Sequence, residues 1–231
     1  MVALPQSLGT GIGVTPDGIR VNGFPDDEGW IEAMTWWYNV NNIWKIHPKG
    51  VGAPESPPLF AAGNVAMYIG GSWNIAFFDK TREEGRLNYG IAPHPYFKDG
   101  KPVTPTTSWH LGINPYSKNK EAARKFIEYL TSDEIMADWF KGVKQLTANT
   151  VMNEVIATSP EYENFPLNAF KEITAYELAN TATPRPCTTP LWMEWEEIMG
   201  KAFADVQNGE DPQTVLNTYS SILERMAKKY E

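Results

Sequence analysis

The chain has 231 residues with 20 basic and 28 acidic side chains, a formal charge of −8. A hydrophobic content of 42% provides a sizeable core for one large or two small domains, whereas the acidic balance argues against nucleic acid or an anionic membrane surface as partner. Cys187 is the only cysteine, which excludes an intrachain disulfide and a cysteine-based zinc cluster.

Nine Trp, ten Tyr and ten Phe exceed what core filling usually demands. The first basic residue is Arg20, and Pro5 with glycines at 9, 11 and 13 interrupts any apolar stretch, so no signal peptide is expected in this chain. No run of about 18 apolar residues suited to crossing a membrane occurs.

Residues 1 to 25 read as an irregular opening with a turn at Thr15-Pro16-Asp17-Gly18. Gly9-Thr10-Gly11-Ile12-Gly13 lacks a preceding strand and a Gly-Lys-Ser/Thr ending, so it is a turn rather than a nucleotide loop. Asp26-Asp27 is expected to cap a helix to about residue 44, with Trp30, Met34, Trp37 and Tyr38 on its core face. That makes Trp37 structural, and leaves Trp36 free to point elsewhere. Ser56-Pro57-Pro58 should start a short helix ending at Gly63, with Ser56 as its cap.

Residues 64–69 read as a strand that breaks at Gly70-Gly71, and a helix follows from Ser72 or Trp73 to about Glu84. Strand, glycine turn and helix start would gather backbone N–H groups, a hydroxyl and a flat ring at one corner. Such a corner suits a ligand that is polar at its edges and apolar on a face, as a sugar is; the alternative is a tight turn whose Trp packs inward. Further strands are expected at Leu87–Ala92 and Ser108–Ile113, separated by a Pro-rich extended connection over 93–106. Lys118–Leu130 should be helical, with Ala122, Phe126, Ile127 and Leu130 on one side and the lysines and Arg124 on a solvated face. Thr131-Ser132-Asp133-Glu134 caps a helix into Trp139-Phe140. From residue 150 the chain reads helical, broken near Ser159-Pro160 and between Asn180 and Pro190, with long helices over 191–208 and from Asp211-Pro212 to Lys229.

Catalysis finds little support. His47, His94 and His110 have no metal-ligand spacing, so no metal is expected. Cys187 sits among prolines with only Arg185 as a local basic partner and reads as an inert thiol. No serine lies in Gly-x-Ser-x-Gly. Glu194, Glu196 and Glu197 flank Trp195, but carboxylates at that helical spacing more often form a solvated face than a glycosidase pair. Three places do combine Trp with polar partners at loops: Gly71-Ser72-Trp73-Asn74, Ser108-Trp109-His110, and Arg185 through Trp195. Aromatic stacking adds roughly 0.5–1.5 kcal/mol per contact beyond burial, and sugar hydroxyls need matched donors and acceptors.

The segment Leu59-Phe60-Ala61-Ala62-Gly63-Asn64-Val65-Ala66-Met67-Tyr68-Ile69-Gly70-Gly71-Ser72-Trp73 resembles the hallmark of bacterial extracellular solute-binding proteins of sugar ABC transporters, the maltose-binding-protein-like group. Four further segments resemble that family in the same order: Tyr89–Pro95, the Ser108-Trp109 strand, Ser117–Ala123 with Phe126–Ser132, and Pro184-Arg185-Pro186 leading to Trp195-Glu196.

The resemblance implies an α/β, helix-rich, periplasmic-binding-protein-like (type II) fold, mainly the C-terminal lobe plus a crossover segment of the N-terminal lobe. Residues 1–92 would be the first part of the C-terminal lobe, 93–145 the crossover belonging to the N-terminal lobe, and 146–231 the second part of the C-terminal lobe. It implies non-catalytic capture of a mono- or oligosaccharide for an ABC importer, with the permease as membrane partner, no cofactor and no metal. The full-length protein would be periplasmic, or extracellular and lipid-anchored.

By the same resemblance Trp73 would be an aromatic platform, with Gly71 and Ser72 as contacts at its edge. Trp109 would line the cleft, Trp195 or alternatively Trp192 would supply a second platform, and Arg185 and Glu194 would meet hydroxyls. Family members are typically longer and begin with a first lobe, so the chain is expected to be a fragment that binds sugar weakly or not at all and is prone to self-association. A carbohydrate-active enzyme and an aromatic-rich protein-interaction module are the rival readings.

Overall fold

The computed structural model describes residues 3–11, 13–14, 25–106, 109–180 and 190–230, and the backbone of 182–184. The expected turn at 15–18, Ser108, Arg185 and Cys187 lie outside the described residues.

The elements in chain order are α1 (Ala3–Ser7), α2 (Glu28–Tyr38), a π-helical turn (Asn39–Ile43), α3 (Ser56–Ala61), a 3-10 turn (Ser72–Asn74) and α4 (Ile75–Glu83). Strand β1 (Thr104–Thr106) precedes α5 (Lys120–Leu130), α6 (Asp133–Val143), α7 (Thr150–Thr158) and α8 (Leu167–Asn180). Strand β2 (Ala182–Pro184), α9 (Trp192–Gln207) and α10 (Pro212–Ala227) follow. The chain divides into two compact units, one of residues 1–51, 94–106 and 181–231, the other of 52–93 and 107–180.

Local chemistry explains the helix starts. The Asp27 carboxylate accepts from Gly29 N–H at 3.0 Å and Trp30 N–H at 3.2 Å, and Asp211 accepts from Thr214 N–H at 2.9 Å. Asn149 caps α7 by accepting from Met152 N–H at 3.1 Å. Ser56 departs from its expected role: it is the first residue of α3, and its hydroxyl donates back to Ala53 C=O at 2.9 Å instead of capping. Gly63 stops that segment in the left-handed region at φ +74°.

The strands differ most from expectation. Residues 64–69, 87–92 and 109–113 carry no regular secondary structure, because an apolar run becomes a strand only when a ladder partner takes up its N–H and C=O groups. The described ladder forms instead between two proline-containing segments expected to be irregular. Strands β1 and β2 pair in parallel, Pro105 opposite Thr183 and Thr106 opposite Pro184. In a two-stranded sheet every strand is an edge, where a missing N–H costs little.

In the first unit, α2, α9 and α10 pack together around Trp30, Met34, Leu191, Trp195, Met199, Val206, Leu216 and Leu223. Trp37 is fixed as expected of a structural residue, donating Nε1–H to Phe203 C=O at 2.9 Å. Tyr219 of α10 bonds Asp205 of α9 at 2.5 Å, which, with burial, pushes the phenol up to about 12. Gly200 lies inside α9 with open space where a Cβ would stand and an ordinary backbone φ. Gly200→Ala is therefore expected to raise stability by about 0.5–1 kcal/mol, read as a higher urea midpoint at unchanged m-value.

The second unit has a core of Ile75, Phe140, Met152, Ile156, Tyr162 and Phe170. Beside it Phe60, Tyr68, Phe78, Tyr89 and Phe165 interlock edge-to-face and tilted, with Phe60–Phe78 and Tyr89–Phe165 centroids at 5.0 Å. Asp79 of α4, only 5% exposed, receives Arg82 at 2.6 Å and Lys144 at 3.5 Å. Lys144 follows α6 in the left-handed conformation, so this carboxylate ties α4 to the end of α6. Helix α5 leaves Phe126 and Tyr129 exposed, whereas the sequence pattern suggested an inward face for Phe126.

Candidate functional site

The corner at Gly71-Ser72-Trp73 forms in the second unit, though without the strand expected to lead into it. Gly71 is extended, φ −91° and ψ 165°, and precedes the 3-10 turn that carries Ser72, Trp73 and Asn74 into α4. The turn closes by Asn74 N–H donating to Gly71 C=O at 3.2 Å. Trp73 is 62% exposed, so the bland alternative of an inward-packed ring does not describe it. Trp109, in the same unit, is 99% exposed. Tyr68, which the expected cluster Gly71-Ser72-Trp73-Asn74 does not include, joins this corner. The Asn74 amide donates to the Tyr68 hydroxyl at 2.8 Å, and the signal available was an aromatic on each side of a glycine pair.

Two expected site residues sit in the first unit, with different environments from those anticipated. Trp195 is 3% exposed; it stacks on Trp192 at 5.1 Å and meets Trp30 edge-on at 6.4 Å. The expectation of an open platform there is corrected: its position in the α9 core stripe turns it inward, and the alternative, Trp192, is buried too. Glu194 is held by Lys229 and by the Tyr230 hydroxyl at 2.9 Å, rather than left free for a ligand.

Those bonds, Lys229 first, push the Glu194 carboxyl down to about 2 from an ordinary 4.5. A lowered folded-state value means that its contribution is complete above about 4.5 and lost as pH falls through about 2. A carbon-13 titration of the Glu194 carboxyl should therefore give a midpoint near 2. A midpoint at the ordinary value would refute the Lys229–Tyr230 clamp.

Among the described residues no group of three or more His, Cys, Asp or Glu is placed to hold a metal ion, and no helix is long and apolar enough to cross a membrane. A shallow groove of about 420 Å³ in the first unit, bordered by Ile31, Tyr38, Asn39 and Gln213, contains none of the expected site residues. What the corner offers is a solvent-facing indole beside hydroxyl and amide groups, which suits non-covalent contact with a ligand that has an apolar face and a polar rim.

The helix-rich architecture is that of a type II periplasmic-binding-protein-like fold. Its backbone superposes with TM-score 0.78 on the maltose/maltodextrin-binding domain MalE from Bdellovibrio bacteriovorus bound to maltotriose, at 24% identity over 98% of this chain and 57% of that one. With a Thermotoga lettingae ABC transporter solute-binding protein bound to α-D-tagatose the TM-score is 0.80, at 20% identity over 98% of this chain and 55% of that one. Residues 9–137 match the family described as bacterial extracellular solute-binding protein, and the chain belongs to it. The maltodextrin-binding protein MdxE of Bacillus subtilis is 26% identical over 215 residues, 89% of this chain and 48% of that protein. A maltooligosaccharide ABC transporter solute-binding lipoprotein of Streptococcus pneumoniae is 23% identical over 189 residues, 79% of this chain and 42% of that protein. The chain spans about half the length of these curated relatives.

Proposed function

We propose that the chain binds a sugar, a mono- or oligosaccharide, without transforming it, as part of a receptor that delivers the sugar to an ABC importer. The observation that carries the reading is the solvent-facing Trp73 ring at the Gly-Gly corner. The C–H face of a pyranose stacks on that indole, while Ser72 and backbone groups of the turn meet hydroxyls at its edge. Trp109 offers a further exposed ring. The maltodextrin and maltooligosaccharide specificities of relatives support a glucan oligosaccharide as ligand. The names of the same relatives, one of them an ABC transporter lipoprotein, support a permease as partner and a site of action outside the cytoplasmic membrane.

Trp195 and Glu194 have no part in this reading, because the core and the Lys229–Tyr230 clamp already engage them. With one or two rings for contact, affinity is expected near millimolar, about −4 kcal/mol. Saturation-transfer NMR with maltotriose tests the proposal. The expected result is transfer to the ring C–H protons, with the trisaccharide intact after prolonged incubation. No transfer would overturn the binding reading, and shortened products would overturn the non-catalytic one.

A further inference from the structure

Neither Gly70 nor Gly71 has a positive φ, so backbone conformation is not the reason for glycine at either position. Clearance is. A Cβ at 70 would overlap the Tyr68 ring, and one at 71 would overlap the six-membered ring of Trp73. Each aromatic thus lies against a bare stretch of backbone. Tyr68 is further held by Phe60 and Phe78, at centroid distances of 6.1 and 5.5 Å. Its hydroxyl accepts from Asn74 at 2.8 Å, and Asn74 ends the same short turn that carries Trp73.

An exposed indole on a three-residue turn would ordinarily sample several rotamers and lose that freedom on meeting a ligand. Here the turn is braced through Asn74, and the ring rests against Gly71 while remaining 62% exposed. We infer that Gly71 and the Tyr68–Asn74 pair are positioning residues for the Trp73 platform, holding the indole with one side against the backbone and the other free for the apolar face of a sugar ring. The inference rests on the sugar-binding reading given above.

The test uses the full chain labelled with nitrogen-15, the Trp73 indole signal being assigned by its loss in Trp73→Phe, and maltotriose as the sugar. Gly71→Ala is expected to move the Trp73 signal, leave the buried Trp195 signal in place, and weaken maltotriose binding about tenfold. Tyr68→Phe keeps the ring and removes only the hydroxyl bond. It should move the same signal with a loss of about threefold, at an unchanged unfolding midpoint. Gly90→Ala serves as control, because a Cβ there meets nothing within 4 Å, and both readouts should stay as in the unsubstituted chain. An unmoved Trp73 signal and unchanged affinity in both Gly71→Ala and Tyr68→Phe would overturn the inference. Should the unsubstituted chain show no response to maltotriose, the sugar reading and the platform role fail together. A Trp73 signal that still moves in Gly71→Ala would then separate that failure from a failure of the geometry.

Discussion

Asp79→Ala is expected to cost the second unit about 1–2 kcal/mol, because it removes a buried carboxylate that ties the end of α6 to α4 through the mostly covered Lys144. Arg82 and Lys144 approach Asp79 from α4 and from the end of α6, and their side chains are only 33% and 18% exposed. Removing the carboxylate leaves these charges to find water at the expense of packing, and Arg82 also lies over the Phe165 ring at 5.6 Å. Asp79→Asn preserves volume and a hydrogen-bond acceptor, so its loss should be about half as large. Urea denaturation followed by a probe of the second unit reads both values. A cost of less than about 1 kcal/mol for Asp79→Ala would place this network among weak surface pairs.

Trp73→Ala and Trp195→Ala should have opposite consequences despite removing the same side chain. Trp73 is mostly exposed, so its loss should change stability by no more than about 0.5 kcal/mol, yet weaken maltotriose binding at least about tenfold. Trp195 is sealed between Trp192 and Trp30, and truncating it should cost about 3–5 kcal/mol through the cavity left behind. Paired denaturation and binding curves for the two variants decide the matter. Loss of binding from Trp195→Ala at unchanged stability would contradict the assignment of that ring to the core.

The contrast between these tryptophans also shows what the sequence could convey. Short-range chemistry was legible: Asp27 and Asp211 cap the helices they were expected to cap, and the Trp30–Met34 spacing gave the buried face of α2. Trp195 was misjudged although Trp195, Ile198, Met199, Ala202 and Val206 form an unbroken core stripe along α9, a periodicity that pointed inward. Glu194 was not legible, because its partners Lys229 and Tyr230 lie 35 and 36 residues away.

The strands were not legible for a related reason. Residues 64–69 have the apolar character of a strand, but ladder pairing is a property of a neighbour that the run itself does not encode. Conversely, Thr104–Thr106 and Ala182–Pro184 pair despite their prolines, because a two-stranded ribbon has only edges. The Gly70-Gly71 corner was visible as a pattern, whereas the room it leaves for Tyr68 and Trp73 depends on where the two rings come to rest in the folded chain.

Sugar binding by this chain depends on Trp73 presenting a usable face. Titrating the nitrogen-15-labelled chain with maltotriose, and following its indole N–H signals, tests this directly. A saturable shift confined to exposed indoles and largest at Trp73, with Trp195 unmoved, is the predicted result. A titration that leaves Trp73 unchanged at tens of millimolar sugar (where a site of about −4 kcal/mol would be filled), or that shifts the buried Trp195 most, would contradict it.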